Sequence, residues 1–78
     1  MMNNNKEIPE AVLNFAKKND FDYVEYLGKW MTFDIYNPRV NEENAMGGPI
    51  PFILYKFGIA IWCTRKQRRI IMDKFYNH

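Results

Sequence analysis

Arg65, Lys66, Arg68 and Arg69 crowd into five positions directly after Thr64. Thr64 with Gln67 three residues on has the form of a capping box, in which each side chain bonds the other's backbone N–H. The four cations therefore fall in the first turn and a half of a C-terminal helix, expected from about Arg65 to Phe75, with Ile71 and Phe75 turned inward. Cations there oppose the helix dipole, at a cost of about 0.3–1 kcal/mol each when exposed. The same placement suits an anion, because free backbone N–H groups and guanidinium groups converge on it. On a helical wheel Arg65, Lys66 and Arg69 share one side, and Arg68 lies nearer the apolar edge, where its stem can snorkel. Arg65, Lys66 and Arg69 are thus the candidate residues for binding an anion or an acidic partner. The competing reading is a solvated basic face, partly neutralised by Arg69 and Asp73 at i,i+4.

The charge distribution sharpens this. The chain carries +2 overall. Residues 1–28 hold three Lys against five carboxylates, and residues 29–62 balance. Residues 63–78 hold Arg65, Lys66, Arg68, Arg69 and Lys74 against Asp73 alone. The positive excess is therefore a C-terminal property. A nucleic-acid partner is the second reading of this cluster, with Trp62, Tyr55 and Tyr76 as stacking platforms. A net +2 is small for such a module.

Other candidate chemistry is thinner. Cys63 and Arg69 have the Cys-x5-Arg spacing of the protein tyrosine phosphatase loop, in which a thiolate attacks phosphorus while the arginine holds the phosphate. Here four of the six residues after Cys63 are Arg or Lys, so the spacing arises easily, and no glycine lets the loop cradle a phosphate. The simpler reading of Cys63 is a small buried hydrophobe. His78 is the single histidine, and one Cys with one His falls short of a zinc set. Asp20, Asp22, Glu25, Glu42 and Glu43 show no pairing for acid–base work. Gly47-Gly48 lacks the Lys-Ser/Thr of a phosphate loop and reads as a turn. The expectation is a protein with no catalytic residues, no cofactor and no metal.

These residues must be placed by a short chain. With 78 residues, one small domain is the limit, its first seven residues expected to be flexible. A helix is expected from Pro9, with Ile8, Val12, Phe15 and Ala16 on one face, Leu13 at its edge, and a stop at Asn19-Asp20. From Phe21 to Tyr36 the residue types favour strands, in a hairpin with two competing registers. A turn at Gly28-Lys29 uses the glycine. A turn at Met31-Thr32 has poorer turn chemistry, but sets Trp30 opposite Phe33 and Lys29 opposite Asp34, pairs worth about 0.2–1 kcal/mol each. The cross-strand pairs favour the second. Asn37 to Pro49 reads as a loop. Ile50–Tyr55 and Ile59–Cys63 read as a second hairpin around Lys56-Phe57-Gly58, apolar on both faces and so expected in the middle of the sheet. The fold class is α+β: a four-stranded antiparallel sheet of two hairpins, with an N-terminal and a C-terminal helix.

The segment Tyr23-Val24-Glu25-Tyr26-Leu27-Gly28-Lys29-Trp30, followed by Phe33-Asp34-Ile35-Tyr36, resembles a hairpin of small uncharacterised bacterial proteins of similar length. The Gly-Pro segment, the Ile53-Leu54 strand and the Thr-capped final helix are similar too, so the resemblance covers most of the chain from about Pro9. It implies the fold and no activity. The turn after the capping threonine, acidic or Pro-containing in that group, is Arg65-Lys66 here.

Composition bounds the rest. Two Trp, five Tyr and six Phe in so short a chain argue against disorder. Disulfides within the chain are excluded by the single cysteine. No secretion signal or membrane span is read from the sequence, and a lone cysteine fits a reducing compartment, so a cytoplasmic protein is expected. Tyr26, Trp30, Tyr36, Tyr55 and Trp62 lie on strands that two short helices need not cover, and they are the candidate residues of a homodimer interface. The expectation is a non-enzymatic interaction module: a homodimer, an acidic protein or nucleic acid is its partner, and the basic helix start its site.

Overall fold

The computed structural model describes residues 8–41 and 50–76. The start expected to be flexible, residues 42–49 of the expected loop with the turn expected at Gly47-Gly48, and His78 lie outside the described residues. In chain order the elements are α1 (Glu10–Lys18), β1 (Tyr23–Trp30), β2 (Phe33–Arg39), β3 (Ile53–Lys56), β4 (Ile59–Trp62) and α2 (Arg65–Tyr76). The strands form one antiparallel sheet in the order β1-β2-β3-β4.

Pro9 stands at the start of α1, and its carbonyl accepts from the N–H groups of Val12 and Leu13. The helix ends in a Schellman motif. Phe21 N–H donates to the Ala16 carbonyl and Asp20 N–H to the Lys17 carbonyl, with Asp20 at φ 70°. Phe21 and Ala16 then meet in the core below.

The helices cover opposite faces of the sheet. Val12, Ala16 and Phe15 of α1 pack on Tyr36, Ile53, Tyr26, Tyr55 and Trp62. Trp62 lies edge-on to both Phe15 and Phe21, at ring centroid distances of 4.9 and 5.9 Å. On the other face Ile71, Met72 and Phe75 of α2 pack on Ile35, Leu54 and Phe52. Successive strand residues point to opposite faces, so β3 sends Ile53 to one core and Leu54 to the other, both fully buried.

The first hairpin takes the Met31-Thr32 register, with Trp30 opposite Phe33 and Lys29 opposite Asp34, the last pair bridged at 3.6 Å. Met31 accepts φ 57° in the turn. The second hairpin closes on Phe57-Gly58, both at positive φ, as a type I′ turn requires.

Gly28 has a different task from the turn its residue type suggests. A bulge at Leu27 shifts the register between Tyr26 and Gly28 and turns Leu27 toward the α2 side. Gly28 sits at φ +142°, and a Cβ there would stand 3.0 Å from Cε1 of Phe75. Gly28→Ala should therefore cost about 2 kcal/mol, part backbone strain and part contact with the ring. Repeating it in a Phe75→Ala background should recover the contact part alone, so chemical denaturation of the double-mutant cycle should show coupling. Strict additivity would mean that Gly28 does not hold α2 close.

Besides the start of β3, at Ile53 rather than at the expected Ile50, two sequence expectations change. β2 runs through Asn37-Pro38 to Arg39, where a loop was expected. Backbone alternation puts the Pro38 nitrogen on the β3 side, past the last β2–β3 pair, Tyr36 with Ile53. No ladder bond is lost, and the ring is fully buried. The second change concerns β4. It was expected inside the sheet with both faces covered, but it is an edge strand, and Ile59 and Ile61 are exposed.

Candidate functional site

The start of α2 is built as the capping box requires. Thr64 N–H donates to Oε1 of Gln67 at 2.8 Å, and Gln67 N–H donates to Oγ1 of Thr64 at 3.1 Å. Arg68 N–H donates to the Thr64 carbonyl. The N–H groups of Arg65 and Lys66 precede this ladder and are the ones left to face outward.

Arg65, Lys66 and Arg69 are exposed, and no acidic residue lies in the first turn. Among the described residues none of the three makes an ion pair, including Arg69 with Asp73. The expected partial neutralisation at i,i+4 is therefore not formed. Arg68 departs from the other three. It is half-buried, and its Nε donates to the Ile50 carbonyl at 3.0 Å, tying α2 to the segment leading into β3. The sequence expectation of a stem drawn to the apolar edge describes this geometry.

Between α2 and the end of β2 runs an open groove of about 310 Å³. Phe52, Met72 and Pro38 supply apolar walls, and Arg39, Asn37 and Tyr76 supply polar ones. The Tyr76 ring stacks on Phe52 at 6.4 Å, and its hydroxyl accepts from Asn37 Nδ2 at 3.4 Å. Arg39 is held by Glu25 at 3.1 Å. Reading Asn37-Pro38-Arg39 as a loop hid this groove. The available signal was the strand pattern continuing past Tyr36, masked by a proline that only an unpaired strand side accepts.

Cys63 is buried, and it accepts a hydrogen bond from Phe52 N–H at 3.2 Å. Burial pushes its thiol up, against smaller lowering contributions from that bond and from Arg68. A nucleophilic cysteine needs the reverse, a lowered pKa and access. The groove beside Cys63 is lined by Pro51, Thr64, Arg65 and Arg68, not by Arg69. The phosphatase-like spacing thus does not assemble a thiolate site.

The five strand aromatics sit mainly in the core. Tyr36 is fully buried and offers no surface, a correction to its expected place at an interface: it lies in the row Tyr26-Tyr36-Ile53-Trp62 that α1 covers. Tyr26, Tyr55 and Trp62 are half-buried in the same cluster, and Trp30 is half-buried with Phe33 on the α2 side. Trp62 therefore lies on the opposite face from α2 and is not a stacking platform beside its basic residues. Of the platforms considered, Tyr76 alone is both exposed and on α2.

Among the described residues there is no group of three or more His, Cys, Asp or Glu that could hold a metal ion, and no helix long and apolar enough to cross a membrane. Comparison of the chain with protein-family models, with curated proteins and with solved structures found no match, so its function must be argued from these surfaces.

Proposed function

We propose that the protein is a non-enzymatic cytoplasmic interaction module that docks an acidic partner on the basic start of α2. The observation that carries this is the set Arg65, Lys66 and Arg69, exposed and without ion-pair partners among the described residues, at a helix end that electrostatics would fill with acids. Such an arrangement costs stability when nothing is bound. It becomes favourable once carboxylates or phosphates arrive, because each cation then gains a charge-assisted hydrogen bond. The free thiol of Cys63 agrees with a reducing compartment.

The triple variant Arg65→Glu/Lys66→Glu/Arg69→Glu tests this in two ways. Affinity for a polyglutamate probe should fall at least about tenfold, and that of the natural chain should weaken with added salt. Stability should rise, by roughly 0.3–1 kcal/mol for each of the two first-turn reversals at Arg65 and Lys66, because the helix dipole is no longer opposed there, less a few tenths for the new carboxylate four residues before Asp73. A variant that binds polyglutamate as well as the natural chain does would end the proposal. Preference for single-stranded DNA over polyglutamate, lost in the same variant, would replace it with the nucleic-acid reading.

A further inference from the structure

The two edges of the sheet are not alike. β1 is protected as edge strands usually are, by a bulge at Leu27 and by the exposed charges Glu25 and Lys29. β4, Ile59-Ala60-Ile61-Trp62, has no charge, no proline and no bulge. Its two isoleucines are 62% and 45% exposed on the α2 side, beside a turn that leaves Phe57 87% exposed, and Ile70 of α2 is 48% exposed. An unprotected edge with an apolar face is a template for another strand.

We propose that β4 pairs antiparallel with β4 of a second copy, about a two-fold axis through Ala60, to give a homodimer with a continuous eight-stranded sheet. The backbone sets this register. Cys63 N–H donates to the Phe52 carbonyl, so by alternation Ile59 and Ile61 direct their backbone groups to β3, and those of Ala60 and Trp62 face outward. An axis through Ala60 lets the outward groups of the two copies bond each other. It also sets Ile59 opposite Ile61 of the partner subunit, in the non-hydrogen-bonded position where side chains are closest. Both copies keep the same face up, so each isoleucine is covered by the reciprocal contact.

Charge and area favour a second copy as the occupant. β4 is neutral, so self-pairing brings no like charges together. The antiparallel arrangement sends the two basic α2 starts to opposite ends of the paired strands. Ile59, Ile61 and Phe57, at their observed exposures, present on the order of 400 Å². With the backbone edge itself this approaches the roughly 800 Å² per partner of a stable interface. The interface is separate from the basic face, so charge reversal at Arg65, Lys66 and Arg69 should leave it intact.

Sedimentation equilibrium over a concentration series tests the proposal. The natural chain should be dimeric. Ile59→Glu and Ile61→Lys, each at an exposed site, should keep the natural circular dichroism spectrum and weaken the dimer about 100-fold or more. The double variant Ile59→Glu/Ile61→Lys should recover dimerisation, because each new carboxylate then faces an ammonium across the two-fold. A natural chain that stays monomeric to millimolar concentration overturns the proposal, as does a dimer indifferent to both single changes. Single variants that dissociate without rescue by the double overturn the register. Open-ended growth with concentration would mean head-to-tail pairing of β4 with β1 and would overturn the two-fold.

Discussion

Ile71→Ala should destabilise the protein by about 3–4 kcal/mol, a fall of roughly 15 °C or more in Tm for a chain of this size. Ile71 is fully buried, and it is the single buried residue of α2. It packs in the cluster of Ile35, Phe52, Leu54 and Cys63, so its loss leaves a cavity lined by side chains that β2 and β3 hold in place. Alanine has the better helix propensity, which returns only a few tenths of a kcal/mol. A domain this short has a stability toward the low end of about 5–15 kcal/mol, so the variant should be populated in part as an unfolded chain. Ile70→Ala is the matched control. It makes the same change one residue earlier at a half-exposed site, and should cost under about 1 kcal/mol in monomer-range urea denaturation. Equal losses for the two variants would mean that Ile71 does not anchor α2.

The contrast between these neighbours shows how much of the architecture was legible beforehand. Helical spacing places Ile71 and Phe75 inward, and the capping box places the start of α2, because both depend on residues within one or two turns. The hairpin register was legible for a similar reason. Trp30 with Phe33 and Lys29 with Asp34 are cross-strand pairs whose preferences outweigh a poor turn dipeptide, so Met31 takes a positive φ that its residue type disfavours. Gly28 could not be read this way. Its conformation answers to Phe75, a residue 47 positions later that only tertiary packing brings to 3.0 Å from its missing Cβ.

The position of β4 failed for a related reason. Apolar residues on both faces normally mark a covered central strand, and β3 obeys that rule. β4 carries the same pattern at the sheet edge, where one face has α1 and the other has exposed isoleucines. Sequence reports what a strand would bury, not whether the chain itself supplies the cover. The candidate site divides along the same line. Arg65, Lys66 and Arg69 were legible because their exposure follows from helix periodicity. The groove along Arg39 and Tyr76 was not, because it forms between the end of β2 and the end of α2. The aromatic excess was ambiguous for want of burial. Tyr26, Tyr36, Tyr55 and Trp62 turn out to fill the core under α1, leaving aliphatic residues as the main uncovered apolar surface of the sheet.

That same core makes the protein sensitive to alkali through one hydroxyl. Tyr36 is fully buried, and its hydroxyl has no hydrogen-bond partner among the described residues. Burial pushes its pKa from 10.0 up to about 12, with smaller contributions from the Asp34 carboxylate and from Tyr26 and Tyr55. At neutral pH the group is protonated folded or unfolded and contributes no pH dependence. As pH rises from 10 toward 12 the unfolded chain releases this proton while the folded one keeps it. The folded state then binds more protons, so stability falls with pH, and the loss levels off above the folded pKa. Two units correspond to a loss on the order of 3 kcal/mol. Tyr36→Phe should abolish this part of the alkaline loss. At neutral pH it should be neutral or stabilising by up to about 1 kcal/mol, because it removes a buried polar group that lacks a partner. Urea denaturation across the alkaline range should therefore show the two stability curves diverging above pH 10, with the variant higher. Tyr23→Phe, at an exposed position, controls for the loss of a tyrosine as such. Curves for Tyr36→Phe and the natural chain that stay parallel from neutral pH to 12 would mean that the Tyr36 hydroxyl reaches water or a partner in solution.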